Sequence, residues 1–277
     1  MIRGAKQDDI AALRALWWVV FNDSERFLDR FFAHLFVPEN CLVAECEGRI
    51  TSMLFLLEAT ASCRQGNRPL RYVYACATHP DFRKQGFMGQ LLNTAIEYAD
   101  ENGFDLILIP ANEPLFDYYK RFGFTQPTYL SRCSYPPIAA SAVLEWVAVG
   151  SSDIAAAVTL LQELRTAFFE RTDAVLWLDA HIKVMLGELF SQKGEMLVLK
   201  TGGYALTLLQ SDGTVDVIEC ASQLPREEMI ASLRAHYSVA KTTFSLPSNA
   251  NQPCAETPYG LLYSKQSIPL YLNLGLE

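Results

Sequence analysis

The chain has 277 residues, half of them hydrophobic, and a formal net charge of −8 at pH 7. That length holds one large domain or two of ordinary size, and the acidic balance argues against nucleic-acid binding, which needs a basic surface. No window reaches the ~18 uninterrupted apolar residues of a membrane span, and "MIRGAKQDDI" turns acidic where a signal peptide would turn apolar, so neither a membrane nor export is expected. Seven cysteines, an odd number without a CxxC pair, suggest neither a disulfide framework nor a zinc site, and a reducing cytoplasm is the expected compartment.

Residues 2–4 read as a short strand. "QDDIAALRALWWVVF" follows with Ile10, Leu13, Leu16, Trp17 and Val20 at helical spacing. "SERFLDRFFAHLF" is a second amphipathic helix, whose Phe27, Phe31 and Leu35 fit a core face better than a lipid or aromatic-substrate site. "CLVAECEGRITSMLFLLEA" reads as two strands around a Glu47-Gly48 turn, and "RYVYACATHP" as another. The helix "FMGQLLNTAIEYADENG" closes at Gly103, "FDLILIPA" is apolar enough for a strand buried on both faces, and "NEPLFDYYKRFGF" is a short helix before the strand "TQPTYLSRCSY".

Pro136 and Pro137 open a linker, which divides the chain into units at 1–137 and 141–277. In the second unit "SSDIAAAVTLLQELRTAFFER" and "AVLWLDAHIKVMLGELF" read as helices. "EMLVLKT", "GYALTLLQ" and "VDVIECA" are strands, "PREEMIASLRAHY" a helix, and "KTTFSLP" and "YGLLYSK" closing strands. This repeats the order of the first unit and points to an internal duplication. The apolar "PLYLNLGLE" implies a docked tail, whose terminal carboxylate can approach the active site. His181 and His236 fall on separate helices without ligand spacing, so no metal is expected.

The chemistry concentrates at Arg83-Lys84-Gln85-Gly86-Phe87-Met88-Gly89, between a strand and a helix. The first N–H groups of a helix lack internal partners and carry the positive end of its dipole, so such a turn accepts phosphate. The run Arg83 to Met88 fits R-x-x-G-x-x. Tyr119 stands shortly before the Gly123-Phe124 pair. With these two motifs the first ~135 residues resemble the GNAT superfamily of acyl-CoA-dependent N-acyltransferases. Met88 departs from the pattern, standing where that family carries Gly or Ala.

The resemblance implies an α/β (α+β) fold with a mixed twisted sheet flanked by helices, and a second unit that is a degenerate GNAT repeat or an unrelated α+β domain. It implies acetyl-CoA as co-substrate, with its pantetheine beside Cys76, Ala77 and Thr78 and its pyrophosphate on the loop Arg83, Lys84, Gln85, Gly86, Phe87, Met88 and Gly89. It implies direct attack by a primary amine of a small molecule or peptide, with Tyr119 as the acid for the leaving thiolate. Tyr118 is expected to pack on another side of the helix, and His79 to be structural. Asp23, Glu25 and Glu113 read as helix-start or surface carboxylates rather than a dedicated base, and a water chain is a further route for the amine proton. A homodimer is the candidate assembly. The rival function class is a catalytically silent acyl-CoA sensor on the same fold, and a dinucleotide binder is disfavoured because no G-x-G-x-x-G follows a strand.

Overall fold

The computed structural model describes residues 1–136, 144–237, 241–247, 254 and 256–276. The first half runs β1 (Ile2–Gly4), α1 (Ile10–Phe21), α2 (Glu25–His34), β2 (Cys41–Cys46), β3 (Arg49–Cys63), β4 (Gly66–Thr78), α3 (Phe87–Asn102), β5 (Asp105–Leu108), α4 (Glu113–Lys120) and β6 (Gln126–Tyr135). The second half runs β7 (Trp146–Val149), α5 (Ile154–Phe169), β8 (Ala174–Trp177), α6 (Asp179–Ser191), β9 (Glu195–Leu199), β10 (Gly203–Leu209), β11 (Val215–Ser222), α7 (Arg226–His236), β12 (Thr242–Pro247) and β13 (Glu256–Tyr263). The order expected from the first half is the order found.

Two segments differ from the sequence reading. "AVLW", taken as the start of a helix, is β8, which pairs antiparallel with Ala59–Ser62 of the long β3. A β-branched and aromatic run finds a free sheet edge there, and tertiary pairing overrides the helical period. Trp146–Val149, left unassigned, is β7 on the outer edge against β9. The cysteine reading is also corrected, because Cys133 of β6 is joined to Cys254 with Cα atoms 5.4 Å apart. Their separation of 121 residues hid the pair from any local pattern.

All the strands form one mixed sheet in the order β1-β2-β3-β4-β5-β13-β6-β12-β11-β10-β9-β7, with β8 off the path on β3. The order is nearly palindromic. In each half a meander leads to a single parallel pair, β4 with β5 and β11 with β12. In each half the next strand comes antiparallel from the other half, β13 beside β5 and β6 beside β12. The halves therefore exchange a strand, and the β6–β13 pair lies at the centre.

Helices cover both faces, which explains why "MLFLL" of β3 is apolar at every position. Met53, Phe55 and Leu57 enter one core with α1, α2, α5 and α6, whereas Leu54 and Leu56 enter another under α3 and α4. A third cluster packs α7 on the second half, around Leu233 and Phe244. Arg30 of α2 ties the helical layer across the halves, donating to the Gly187 carbonyl and pairing with Glu188, both at 2.6 Å.

The tail is docked, as its composition predicts. Tyr271 N–H donates to Asp173 O, Trp177 Nε1 to Asn273 O at 2.8 Å, and Tyr72 Oη to Leu276 O at 2.8 Å. Glu277, and with it the terminal carboxylate, lies outside the described residues. Beneath the tail is a fully buried ion pair. Arg165 Nε donates to Glu219 at 2.8 Å, and Glu219 also accepts from the hydroxyls of Tyr204 at 2.6 Å and Tyr271 at 3.5 Å. His181 is buried too, stacked on Trp177 at 4.0 Å, with Nε2 2.8 Å from the Leu274 carbonyl. Burial drives its pKa down to about 4.

Two stability predictions follow from these groups. Glu219→Ala strands a buried guanidinium and is expected to cost about 3–5 kcal/mol, most of it recovered when Arg165→Met and Glu219→Leu are combined. Urea denaturation of both variants checks this, and a single-variant loss below ~1 kcal/mol contradicts it. Because the folded pKa of His181 is depressed, its neutral form is compatible with the core above the unfolded pKa of ~6.5, and stability falls as pH drops from there toward 4. That slope amounts to about 3 kcal/mol and should be absent in His181→Gln, measured as urea midpoint against pH.

Candidate active site

The site begins where two parallel strands part. β4 pairs with β5 only from Leu70 to Tyr72 against Asp105 to Ile107, although β4 continues to Thr78. The near end is clamped by Arg68, whose Nε and Nη2 grip the Asp105 carboxylate at 2.8 and 3.2 Å. Beyond the clamp the register of β4 on β3 shifts between Met53 and Phe55, and in the resulting bulge of β4 Ala75 takes φ +48°. A non-glycine residue there costs of order 1–3 kcal/mol and persists only where packing enforces it. The bulge bends β4 away from β5.

The gap is a cavity of about 1300 Å³. One wall is Val73 to Cys76 and Thr78 of β4, and the other is Leu108 and the loop 109–112 after β5. At one end stands the loop that the sequence singled out. Gly86 caps α3 with φ +84°, a conformation that favours glycine, and a Cβ there would meet nothing closer than Gln90 Nε2 at 4.0 Å. The glycine is thus needed for backbone conformation, not space. The first helical bond runs from Gln90 N–H to Gly86 O at 3.1 Å, so the amides of Phe87, Met88 and Gly89 have no helical partner. Thr78, Arg83, Lys84, Gly86, Phe87, Met88 and Gly89 all line this end.

Met88 does not block it. Its side chain packs on the core under α3 and α4, while Gly89 sits against the Phe122 ring, where a Cβ would approach to 3.2 Å. The small residue that close packing requires is Gly89. Two expected contacts turn elsewhere: Ala77 is fully buried in the main core, and Gln85 folds back, its Nε2 donating to Asp81 O at 3.3 Å. Neither side chain lines the cavity.

Tyr119 of α4 reaches the middle of the gap, nearly buried, with its hydroxyl at the Cys76 thiol. Burial, reinforced by that thiol, holds the phenol well above its usual pKa, and burial pushes the Cys76 thiol up to about 12. Both groups are therefore protonated at neutral pH. Tyr118, expected on another side, also lines the cavity, edge-on to Tyr119 at 5.3 Å between centroids. His79 caps a turn by accepting from Asp81 N–H at 3.3 Å and does not line the cavity.

At the other end α1 stops at Asn22, left-handed with φ 56°, and Ser24 starts α2 by accepting from Phe27 N–H at 3.2 Å. Between the two caps Asp23 turns inward and accepts from Trp17 Nε1 at 2.8 Å. Trp17, fully buried, is ringed by Phe21, Phe31, Phe55 and Tyr74 and so fixes that carboxylate. Of the three carboxylates weighed from sequence, Asp23 alone lines the cavity; Glu25 is exposed and bound to Arg14, and Glu113 is exposed. Arg132, Tyr259 and Leu276 complete this end and were not singled out from sequence. Arg132 carried one usable signal, a charge in a strand whose alternate residues Thr128 and Leu130 are apolar-facing and buried.

Residues 1–126 match the family model of the acetyltransferase (GNAT) domain. The matched segment runs from β1 to the start of β6 and contains both the loop before α3 and Tyr119. Solved structures share the fold over nearly the whole chain. A conserved Enterococcus faecalis V583 protein, a probable N-acyltransferase, is 12% identical with a TM-score of 0.78, over 95% of this chain and 72% of that one. A GCN5-related N-acetyltransferase from Anabaena variabilis ATCC 29413 is 15% identical with a TM-score of 0.74 over the same shares. Eis1 from Mycobacterium abscessus is 14% identical with a TM-score of 0.70, over 95% and 73%. At these identities the likeness is one of fold. No curated protein sequence matches the chain. The loop 79–86 between β4 and α3 has no counterpart of its length before α7, where only residues 223–225 follow β11.

Gly86→Ala is expected to lower stability by about 1–2 kcal/mol, and Gly86→Asn by less, because Asn tolerates the left-handed region. Denaturant midpoints of the two variants check the order; equal midpoints with the wild type contradict the conformational role.

Proposed function

We propose that the protein is an acetyl-CoA-dependent N-acetyltransferase that acts on a primary amine. The observation that carries the reading is the opening between β4 and β5, with three free helix amides at one end and a buried, protonated tyrosine at its middle. Those features fit a thioester with a pyrophosphate head. The amides of Phe87 to Gly89, with Arg83 and Lys84, supply donors and charge for the pyrophosphate. The edge of β4 left unpaired beyond Tyr72 supplies backbone groups for the amide-bearing pantetheine, as in strand addition. The volume, about 1300 Å³, holds both partners of a transfer reaction.

Acetyl-CoA would contribute an activated acyl thioester, and the acceptor nitrogen would form the new C–N bond as the C–S bond breaks. Tyr119 holds a proton at its phenol oxygen, raised in pKa by burial, and is the donor nearest the acyl end of the opening. The fixed Asp23 carboxylate would attract the incoming amine as its ammonium at the opposite end; the nitrogen would give one proton to water before it attacks and a second as the amide forms, which balances the proton that Tyr119 gives the thiolate.

Tyr119→Phe is expected to lower kcat by about 100-fold or more while acetyl-CoA affinity changes little. Thiol release with an amine panel and calorimetric titration with acetyl-CoA check the two halves. An unchanged rate removes Tyr119 from the acid role; no binding to the intact wild type overturns the whole reading; tight binding without turnover favours an acyl-CoA sensor.

A further inference from the structure

A sheet face that lies under helices is normally apolar. Across β6, β12 and β11 this one is not. Ser245 stands directly opposite Arg132, and Asp216 opposite Thr243, so these four polar side chains form a stripe on the face that looks toward α2 and α6. Above the stripe the helices leave a second cavity of about 360 Å³. It adjoins the main cavity, and Leu130, Arg132, Tyr259 and Leu276 belong to the walls of both.

The charges around this junction are unequally satisfied. Glu188 is paired with Arg30 at 2.6 Å and also accepts from Gln192, while Asp216 accepts from Gln210 Nε2 at 2.7 Å. Arg132 has no hydrogen bond, ion pair or ring contact among the described residues. Arg83 and Lys84 lie at the phosphate end, so among the described residues Arg132 is the one cation of the main cavity's lining at the acceptor end. Among the described residues Asp23 is the one carboxylate of that lining. A guanidinium presents a planar fork of donors matched to a carboxylate, and the Ser245 hydroxyl beside it adds one more donor.

We propose that the acceptor is an aminocarboxylate, a molecule whose amine faces Asp23 and whose carboxylate is held by Arg132 with Ser245. This rests on the acyl-transfer reading above and names its substrate class. A guanidinium at the acceptor end repels polycationic amines and leaves their second charge without a partner.

The test measures thiol release from acetyl-CoA with amino acids, short peptides with free C-termini, the carboxamides of both, and polyamines. Carboxylates are expected to exceed their matched carboxamides in kcat/KM by about 10- to 100-fold, chiefly through KM. Arg132→Gln should bring that ratio close to one, Arg132→Lys should retain part of it, and Ser134→Ala, on the same face but outside both cavities, should leave it unchanged. Preference for amino acids over peptides, or the reverse, identifies the source of the carboxylate. Equal use of carboxylates and carboxamides, or faster use of polyamines, overturns the aminocarboxylate while leaving acyl transfer standing. No thiol release with any amine overturns both.

Discussion

Everything at the site depends on one limit to hydrogen bonding: the β4–β5 ladder ends at Tyr72. Parallel strands normally continue pairing for as long as both extend, since an unpaired backbone group must find another partner. Here the Arg68–Asp105 clamp holds one end closed and the bulge at Ala75 turns the other end out. The strand edge, the α3 amides and Tyr119 then converge on a single opening. The strain at Ala75 is sustained by the core on both sides of β3 and β4, which leaves the bulge little room to relax.

The second half is part of that constraint. β5 is held on its far side by β13, and Tyr259 and the docked tail line the end of the cavity where Asp23 lies. The strand exchange makes the opening between β4 and β5 dependent on chain more than 130 residues later, in the same sheet. The buried Arg165–Glu219 pair, capped by Tyr204 and Tyr271, fixes the start of the tail, and Trp177, His181 and Tyr72 fix its later carbonyls. The second half has only the short 223–225 connection before α7 and serves as wall and buttress.

Local chemistry was legible in the sequence. Gly86 before an apolar helix, the apolar strand "FDLILIP", and Tyr119 ahead of Gly123 and Phe124 are signals carried by neighbouring residues, and they fall where they were expected. What stayed hidden rests on distant pairing. The bulge at Ala75 has no glycine to announce it, and β8 is a strand only because β3 runs on past its pairing with β2. The Cys133–Cys254 link and the position of Arg132 at the junction of two cavities follow from the strand exchange, which no periodicity encodes.

The central claim is that the opening between β4 and β5 receives acetyl-CoA with its pyrophosphate on the start of α3. Amide hydrogen exchange of the intact protein, with and without acetyl-CoA, tests it most directly. The account predicts new protection concentrated at Phe87 to Gly89 and along Val73 to Thr78, with the loop 223–225 before α7 unchanged. Protection absent from both segments, or appearing only in the second half, would contradict it.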